Sequence, residues 1–303
     1  EELLEGDLNR AQLMQQNLLP ESFPFVCDME FFGYYSPSLR LGGDFFGYLP
    51  LGQDRLAVYL ADVSGHGAGA AMVTVIFREL LHGQLLLHRG MDSMLENPSQ
   101  TLQFLNRALL DENFDSPVHA TMVYAVIDCA KGEINYCRAG HPPPVMCLGD
   151  GKLVRLNTGG PGVGLERKPE YRSRVIPMAP GSACLFFSDG VTQAMSMPDE
   201  ASAALSLGKT LRGVIGNSAR RIAERVERAA LGSGRNGLTD DVSFLVIRRR
   251  REQDQVSHFG DMPSVKIVPA RSSNHSAEIP KSRIEMGWEG GICMIRLVGE
   301  MTW

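Results

Sequence analysis

The feature that most constrains this chain is a succession of short, β-rich runs between Met29 and about Ile247, most of which follow one another as hairpins do. Runs of about four to eight residues that alternate apolar and polar side chains are typical of strands with one buried face. The predicted strands are residues 45–50, 55–61, 121–128, 133–138, 143–148, 171–176, 183–188 and 242–247. A parallel sheet needs a long crossover after each strand, and most of these runs lack one. The pattern therefore predicts an α+β fold, an antiparallel β-sandwich flanked by helices.

Three stretches with helical periodicity interrupt the strands. Residues 67–89, 99–113 and 216–231 repeat apolar side chains at three- and four-residue spacing, which places them on one helical face. In the third stretch, Ile222 and Val226 share the apolar face, and the opposite face is strongly basic. These segments are predicted to be the helices that cover the sheets.

Residues 1–20 are predicted to form a separate linker or switch helix. One helical stripe collects Leu4, Leu8, Ala11 and Leu18. Gln15 stands where an apolar residue would complete that stripe. Pro20 is expected to end the helix, because a proline disfavours the α conformation of the residue before it. We expect the helix to continue from an upstream domain, with a packing helix of the following domain as the alternative.

The composition changes after Arg248 and suggests domain boundaries. Residues 21–250 are predicted to form one domain, and the four arginines at residues 248–251 are interpreted as a solvated strand end. Residues 251–282, rich in Ser, Pro, Gln and His, are predicted to be a flexible linker. Residues 283–303 contain a Gly-Gly turn between alternating runs and are predicted to be the first hairpin of a further domain.

Charge and composition exclude several classes of protein. Thirty Lys and Arg residues against 35 Asp and Glu residues give a formal net charge of −5, so no bulk basic field favours nucleic acid. We expect no apolar run long enough to cross a bilayer, which takes roughly 18–20 residues. The acidic N-terminus is not expected to be a signal peptide. The 6 cysteines are scattered without a C-x-x-C pair, which favours reduced thiols. We expect a cytoplasmic protein with no nucleic-acid or membrane partner.

Aspartates stand where predicted strands begin or end, and the chain arithmetic pairs two of them. Asp44 follows two glycines at the start of one strand, and Asp62 lies at the end of the next. Both are equally distant from Gln53, in the middle of the predicted turn. In a regular hairpin without a bulge, the two carboxylates therefore lie side by side at its open end.

Asp189 and Asp240 form a second predicted pair. Asp189 follows the apolar strand 183–188, and Asp240 precedes the strand 242–247, so an antiparallel pairing places both at one sheet edge. Carboxylates gathered there repel one another, and a positive charge is expected between them. Because no His/Cys set accompanies them, Mg²⁺ or Mn²⁺ fits better than Zn²⁺. The alternative for each aspartate alone is a turn former or a helix cap.

Five segments carry a resemblance to a known family: GGDFF, ADVSGHGAGAAM, AGHPPP, FFSDGVTQA and TDDVSFLVI. In this order they resemble the metal-dependent PPM protein phosphatases. The closer likeness is to the bacterial SpoIIE/RsbU-type branch, which dephosphorylates serine or threonine on anti-sigma-factor antagonists. The resemblance covers about residues 10–248, and Ala11–Pro20 resembles the switch helix of that branch. It implies two antiparallel β-sheets between helices, an α-β-β-α arrangement.

The resemblance also implies roles for particular residues. Asp62 would bridge two divalent cations, with the carbonyl of Val63 as a further ligand. Asp189 and Asp240 would complete the metal shell, and Asp44 would bind a metal directly or through water.

Three positions bear on how far the family pattern extends. Asp241 falls where the family varies and is left as a further candidate. Gly47 stands where the family often has another acid, which argues against a third metal. Gln193 replaces the usual acid after SDGVT, a change that we expect to be minor.

The expected chemistry is hydrolysis by a metal-bridging hydroxide. Two cations about 3.5–4 Å apart can lower the pKa of a bridging water, which would attack phosphorus in line. Ser64 and His66 are then expected to shape the loop, with His66 as an alternative proton donor to the leaving oxygen. Arg40 could contact the substrate phosphate, although a solvated arginine is the simpler interpretation. His141, before three prolines, is expected to be structural.

Two other functions stay open from the sequence. The segment Arg40–Phe46 also resembles the GGDEF signature of diguanylate cyclases, but Phe45 stands where those enzymes have an acid. The second alternative is a phosphatase-like scaffold that binds a phosphoprotein without turnover. Against it, the chain keeps the core aspartates that inactive relatives usually lose.

The resemblance implies partners as well. The substrate would be a phosphorylated protein, a STAS-type anti-sigma antagonist, and the upstream regulatory domain would be of a kind such as a receiver. The N-terminal helix could form a homodimer. The final segment GGICMIRLVGEMTW resembles the opening hairpin of a STAS domain, and equally that of a kinase-like ATP-binding domain.

Overall fold

The fold is known from a computed structural model of the chain. It describes residues 2–24, 26–52, 54–65, 67–87, 93–112, 114, 117–232, 238–256, 264–268, 283–289 and 292–298. The chain forms two compact units, Glu1–Ala270 and Arg271–Trp303.

The elements of the first unit follow the order expected for a sandwich. The helices are α1 (Glu2–Gln16), α2 (Ala68–Leu87), α3 (Pro98–Asp111), α4 (Asp189–Ala194), α5 (Glu200–Arg212) and α6 (Ala219–Leu231). The strands are β1 (Met29–Ser36), β2 (Asp44–Pro50), β3 (Arg55–Val63), β4 (Ala120–Asp128), β5 (Glu133–Ala139), β6 (Val145–Cys147), β7 (Leu153–Arg155), β8 (Gly159–Gly160), β9 (Arg174–Pro177), β10 (Ala183–Phe187), β11 (Val242–Arg249) and β12 (Ser264–Ile267). Short 3-10 helices lie at Met94–Glu96 and Glu252–Val256.

These strands form two sheets. Sheet 1 has the order β12-β1-β11-β10-β6-β7, and sheet 2 has the order β2-β3-β4-β5-β8, with β9 also pairing with β5. Every pairing is antiparallel except β1 with β12 and β5 with β8. The predicted fold class, an antiparallel sandwich flanked by helices, is confirmed.

Helices cover the outer face of each sheet. Helices α2 and α3 pack on sheet 2, whereas α4, α5 and α6 pack on sheet 1. Strand β3 shows the consequence, because Leu56–Leu60 is buried without interruption. A strand with both faces covered reads as a continuous apolar run and not as an alternation.

Local sequence explains where the covering helices begin. Asn97 and Asp199 accept hydrogen bonds from the backbone N–H groups of Gln100 and Ser202, at 3.4 and 2.7 Å. Such caps satisfy donors that a helix leaves unpaired at its first turn. Helix α1 ends at Gln16, four residues before Pro20. The N–H groups of Leu18 and Leu19 bond to carbonyls three residues back, which closes a turn in place of a further helical turn.

Several elements were not predicted, and the linker prediction is wrong for one segment. Strands β1, β7, β8 and β12 and helices α4 and α5 have no counterpart among the predicted elements. Residues Ser264–Ile267 pair in parallel with Phe32–Tyr35 at the edge of sheet 1, so a flexible linker does not describe this part of 251–282. Val265 and Ile267 pack against the core, which compensates for the ordering of the segment.

The arginines at the end of β11 also differ from expectation. Arg248 is only 2 % exposed, with its guanidinium paired to Glu30 and Asp254. Arg249 pairs with Asp28 at 2.7 Å. The interpretation as a solvated strand end is therefore wrong, because carboxylates from two other segments surround these side chains.

Helix α2 is long and apolar enough to cross a membrane by length and composition alone. The expectation that no apolar run approaches this length is therefore wrong for α2. Its face formed by Ala70, Val73, Phe77 and Leu81 packs into the core, which accounts for its apolar composition.

In the second unit, β13 (Arg283–Glu289) and β14 (Ile292–Val298) pair antiparallel as a hairpin. The predicted hairpin is confirmed. Its assignment to the start of a further domain stays a prediction.

Candidate active site

A cavity of about 350 Å³ opens where the ends of both sheets meet. Its described lining is Ser38, Leu39, Asp62, Val63, Ser64, Gly65, His119, Thr121, Asp189, Thr239, Asp240 and Asp241. None of these described residues is a lysine or an arginine. The cavity therefore gathers carboxylates from distant parts of the chain without a permanent cation among the described lining.

The hairpin of β2 and β3 places the first pair of aspartates as predicted. Asp44 and Asp62 are direct partners in the register of the two strands. Partners in an antiparallel pair point to the same face of the sheet. Asp62 lines the cavity, whereas Asp44 is buried beside it with only 2 % exposure and does not line it.

Gly43 allows the chain to approach the Val63 carbonyl closely. A Cβ atom at position 43 would overlap that carbonyl oxygen. The N–H of Val63 donates to the carbonyl of Gly43 at 3.1 Å. Only glycine therefore leaves the predicted carbonyl ligand in place.

The second pair of aspartates comes from sheet 1. Strands β10 and β11 are antiparallel, as expected. Asp189 lies in the first turn of α4, and Asp240 lies just before β11. Both line the same cavity as Asp62.

Burial and the charges of neighbouring carboxylates raise the pKa values of Asp44, Asp62 and Asp189. Burial, followed by the charges of Asp62 and Asp241, raises the pKa of Asp44 well above its ordinary value. Burial, followed by the charges of Asp189 and Asp240, raises the pKa of Asp62 to about 8. Burial and the charge of Asp240 also raise the pKa of Asp189. Such shifts mark carboxylates that lack compensating positive charge.

Gln193 contacts two of these acids, so its substitution is less minor than the sequence indicated. Its Nε2 donates to Asp240 at 3.0 Å and to Asp189 at 3.5 Å, and its Oε1 accepts from Thr239 at 3.2 Å. An acid at this position could not donate to these carboxylates. The side chain supplies a neutral donor where the family usually has an acid.

The other predicted residues fall in different places. Arg40 does not line the cavity, because its guanidinium donates to Glu5 of α1 at 3.3 Å. His66 lies outside the described residues. The predictions for these two side chains stay predictions.

Three features of the site were missed or undervalued in the sequence. His119 lines the cavity, and its carbonyl accepts from the Ser64 N–H at 2.9 Å. His141 contacts the Thr121 hydroxyl at 2.9 Å through Nδ1. Burial, followed by the charge of Arg138, lowers the pKa of His141 to about 3. Its position in AGHPPP was the available signal, and the expectation of a structural residue agrees with its burial.

The third feature is Gln15, whose position on an otherwise apolar stripe was the signal. It is 8 % exposed. Its Nε2 donates to the Gly42 carbonyl at 2.6 Å, and its Oε1 accepts from the Gly42 N–H at 3.1 Å. Helix α1 is therefore bonded to the loop that leads into Asp44.

The available donor atoms fit hard divalent cations. The four aspartates and the Val63 carbonyl supply only oxygen, which Mg²⁺ and Mn²⁺ prefer. Asp44 Oδ2 is buried without a hydrogen-bond partner, so it retains an acceptor for a cation. Within the described residues, no three acidic, His or Cys side chains are already arranged to hold one ion.

Fold and site together define the metal-dependent PPM phosphatase class. The family model of stage II sporulation protein E (SpoIIE) matches residues 52–250. The chain therefore belongs to the SpoIIE family, and the phosphatase assignment is favoured over a diguanylate cyclase.

Two curated relatives and one solved structure show how far the likeness extends. Protein IcfG of Synechocystis is 27% identical over 263 residues, 80% of this chain and 41% of that protein. Phosphoserine phosphatase RsbP of Bacillus subtilis is 30% identical over 189 residues, 61% of this chain and 45% of RsbP. This chain thus spans less than half the length of either relative.

The solved structure contains the RsbU and RsbW domains of Rv1364c from Mycobacterium tuberculosis. It matches with a TM-score of 0.64 and 26% identity, over 77% of this chain and 63% of that one. The shared fold agrees with the two sheets and flanking helices described above.

Proposed function

We propose that this chain is a Mg²⁺- or Mn²⁺-dependent phosphatase that hydrolyses phosphoserine or phosphothreonine on a protein. The observation that carries the proposal is the convergence of Asp62 from sheet 2 with Asp189 and Asp240 from sheet 1 on one cavity. The raised pKa values of Asp62 and Asp189 support it, because carboxylates held together without a cation are poised to bind one.

Some residues of the cavity would bind the ions, and others would contact the substrate. Asp62, Asp189, Asp240 and the Val63 carbonyl would hold two divalent cations, with Asp44 next to Asp62. When bound, such ions supply a nucleophilic water near neutral pH and neutralise phosphoryl oxygens. Thr121, whose hydroxyl contacts His141 Nδ1 at 2.9 Å, lines the same cavity and would contact the substrate phosphate.

We propose a phosphorylated STAS-type anti-sigma antagonist as the substrate, in the cytoplasm. Membership of the SpoIIE family and the likeness to the phosphoserine phosphatase RsbP support this choice. A receiver or another sensor upstream, and a homodimer through α1, are proposed as the regulatory partners. The contact between Gln15 and Gly42 supports a path from α1 to the site.

Hydrolysis of p-nitrophenyl phosphate and of a phosphoserine STAS protein tests the proposal. We expect turnover with Mn²⁺, none with EDTA, and a loss of about a thousandfold or more in Asp62→Asn, because the ions carry most of the charge stabilisation. Asp128→Asn is the matched control, since Asp128 lies at the far end of the neighbouring strand β4. An Asp62→Asn variant with full Mn²⁺-dependent activity would contradict the proposal.

A scaffold without catalysis gives a different result in the same assay. The wild-type chain would then bind the phosphorylated STAS protein and release no phosphate at any Mn²⁺ concentration. That outcome would replace the proposed enzyme with a binding module.

A further inference from the structure

We propose that Asp241 is a positioning residue that holds the loop leading into Asp44 and does not itself bind metal. This inference rests on the proposed function, because it concerns the same carboxylate site. Asp241 immediately precedes β11 and is 5 % exposed. Its neighbour Asp240 lines the cavity from the same turn.

Among the residues that the structure describes, the donors to the Asp241 carboxylate come from one short segment, residues 38–44. Oδ1 accepts from the N–H of Ser38 at 2.7 Å and from its hydroxyl at 3.0 Å. Oδ2 accepts from the N–H of Gly43 at 2.7 Å and from the N–H of Asp44 at 3.4 Å. The carboxylate therefore accepts hydrogen bonds from both ends of the loop.

This loop joins the two sheets at the site. Strand β1 of sheet 1 ends at Ser36, next to Val242 of β11, and strand β2 of sheet 2 begins at Asp44. Asp241 is thus attached to sheet 1 and bonded to the first residue of sheet 2. It fixes where Asp44 enters the sandwich relative to Asp240.

The hydrogen bonds also argue against Asp241 as a metal ligand. An ionised carboxylate offers about four lone-pair sites. The four donors from Ser38, Gly43 and Asp44 occupy this capacity. Asp44 differs, because its Oδ2 is buried without any hydrogen-bond partner.

Gly42 shows how tightly the loop fits around this carboxylate. A Cβ atom at position 42 would overlap Asp241 Oδ2 and the hydroxyl of Tyr35. A side chain at position 42 would therefore push the loop away from Asp241. Glycine at position 42 therefore allows the close contact between the loop and the Asp241 carboxylate.

The test is Asp241→Asn in the full chain, which keeps the volume but replaces one acceptor oxygen with an amide that cannot accept. Amide hydrogen exchange of Ser38 and Gly43 is measured in the metal-free protein, and Mn²⁺ affinity is measured by calorimetry. We expect exchange to be about tenfold faster or more at the amide that loses its acceptor, that of Ser38 or that of Gly43. We expect Mn²⁺ to bind about 10–100-fold more weakly, the usual cost of losing a group that orients a ligand. Asp128→Asn should change neither quantity.

Two outcomes would overturn the inference. The first is exchange and Mn²⁺ affinity that both match wild type. The second is unchanged exchange with one Mn²⁺ lost from the stoichiometry, which would make Asp241 a ligand. If Asp241→Asn fails to fold, Ser38→Ala gives the same test with one donor removed, and a several-fold increase in Gly43 exchange is expected.

Failure of the proposed function is distinguishable from failure of this inference. Wild-type protein that binds no Mn²⁺ contradicts the proposed phosphatase. The exchange measurement uses metal-free protein, so it still decides whether Asp241 holds the loop.

Discussion

The two ends of strand β11 hold buried charges in opposite ways. At its C-terminal end, the buried Arg248 is paired with Glu30 at 3.0 Å and with Asp254. Just before its N-terminal end, Asp240 meets Asp62 and Asp189 in a cavity whose described lining contains no lysine or arginine. One strand thus joins a compensated charge cluster to an uncompensated one.

Charges at the two ends of β11 serve different purposes, folding at one end and ligand binding at the other. Burying an unpaired charge is costly, so structural charges are expected to have partners within the protein. Arg248 has such partners, whereas the carboxyl of Asp62 is left with a pKa of about 8. At the acidic end, the carboxylates repel one another, and a bound cation would offset this repulsion.

The largest expected effect is at the compensated end. Arg248→Met should lower the free energy of unfolding by about 3–5 kcal/mol, because it leaves Glu30 and Asp254 without their buried partner. Urea unfolding measures the loss, and Mn²⁺ affinity should stay within about twofold of wild type. Arg172→Met is the control, since Arg172 and Glu170 form an ion pair that is 71% and 76% exposed. Its cost should be at most about 1 kcal/mol, and equal losses in the two variants would break the comparison.

An intermediate effect is expected from pH at the acidic end. The pKa of Asp62 is raised from 3.8 to about 8 in the folded chain, so the folded state binds more protons than the unfolded state between these values. The stability of the metal-free protein should therefore be greatest at low pH within this window and should fall as pH rises through about 8. We expect a loss on the order of 2 kcal/mol between about pH 5 and pH 8.5 in EDTA.

Urea unfolding across this range checks the sign of the effect. Asp62→Asn should flatten the slope, and Mn²⁺ should stabilise the wild-type chain more at high pH, because binding displaces protons. Metal-free stability that rises with pH would show that the carboxylates are already compensated.

The smallest expected effect concerns Gln193, a neutral donor between Asp189 and Asp240. Gln193→Ala should cost about 1 kcal/mol in EDTA, and less with saturating Mn²⁺, because the ions then hold the same carboxylates. Paired urea titrations with and without Mn²⁺ measure the difference. Gln103→Ala, on the exposed face of α3, should cost the same in both conditions. If Gln193→Ala lowers the free energy of unfolding equally with and without Mn²⁺, Gln193 does not help to stabilise the charged carboxylates.

The sequence predicted contacts between residues whose positions are fixed by neighbouring strands. Asp44 and Asp62 could be paired because side chains alternate along strands and a hairpin fixes which residues meet. Asp189 and Asp240 followed from the antiparallel order of β10 and β11. The sandwich itself followed from short strands in hairpin succession.

Partners that come from distant segments could not be found in this way. Arg248 looked like a solvated strand end because Glu30 is far away in sequence, and nothing local marks the pair. Asp241 meets Ser38 only after the two sheets have packed. Gln15 differs only in that a local signal was present, a polar residue on an apolar stripe, although its contact with Gly42 was not predicted.

If acids from both sheets share divalent cations, anomalous scattering at the manganese edge should locate these ions in a crystal. Crystals of the metal-free protein would be soaked in MnCl₂ and compared with Asp62→Asn crystals treated identically. We expect two manganese peaks among Asp62, Asp189 and Asp240 in the wild type, and the loss of both peaks in the variant. An empty cavity at saturating Mn²⁺, with the carboxylates turned away from one another, would contradict it.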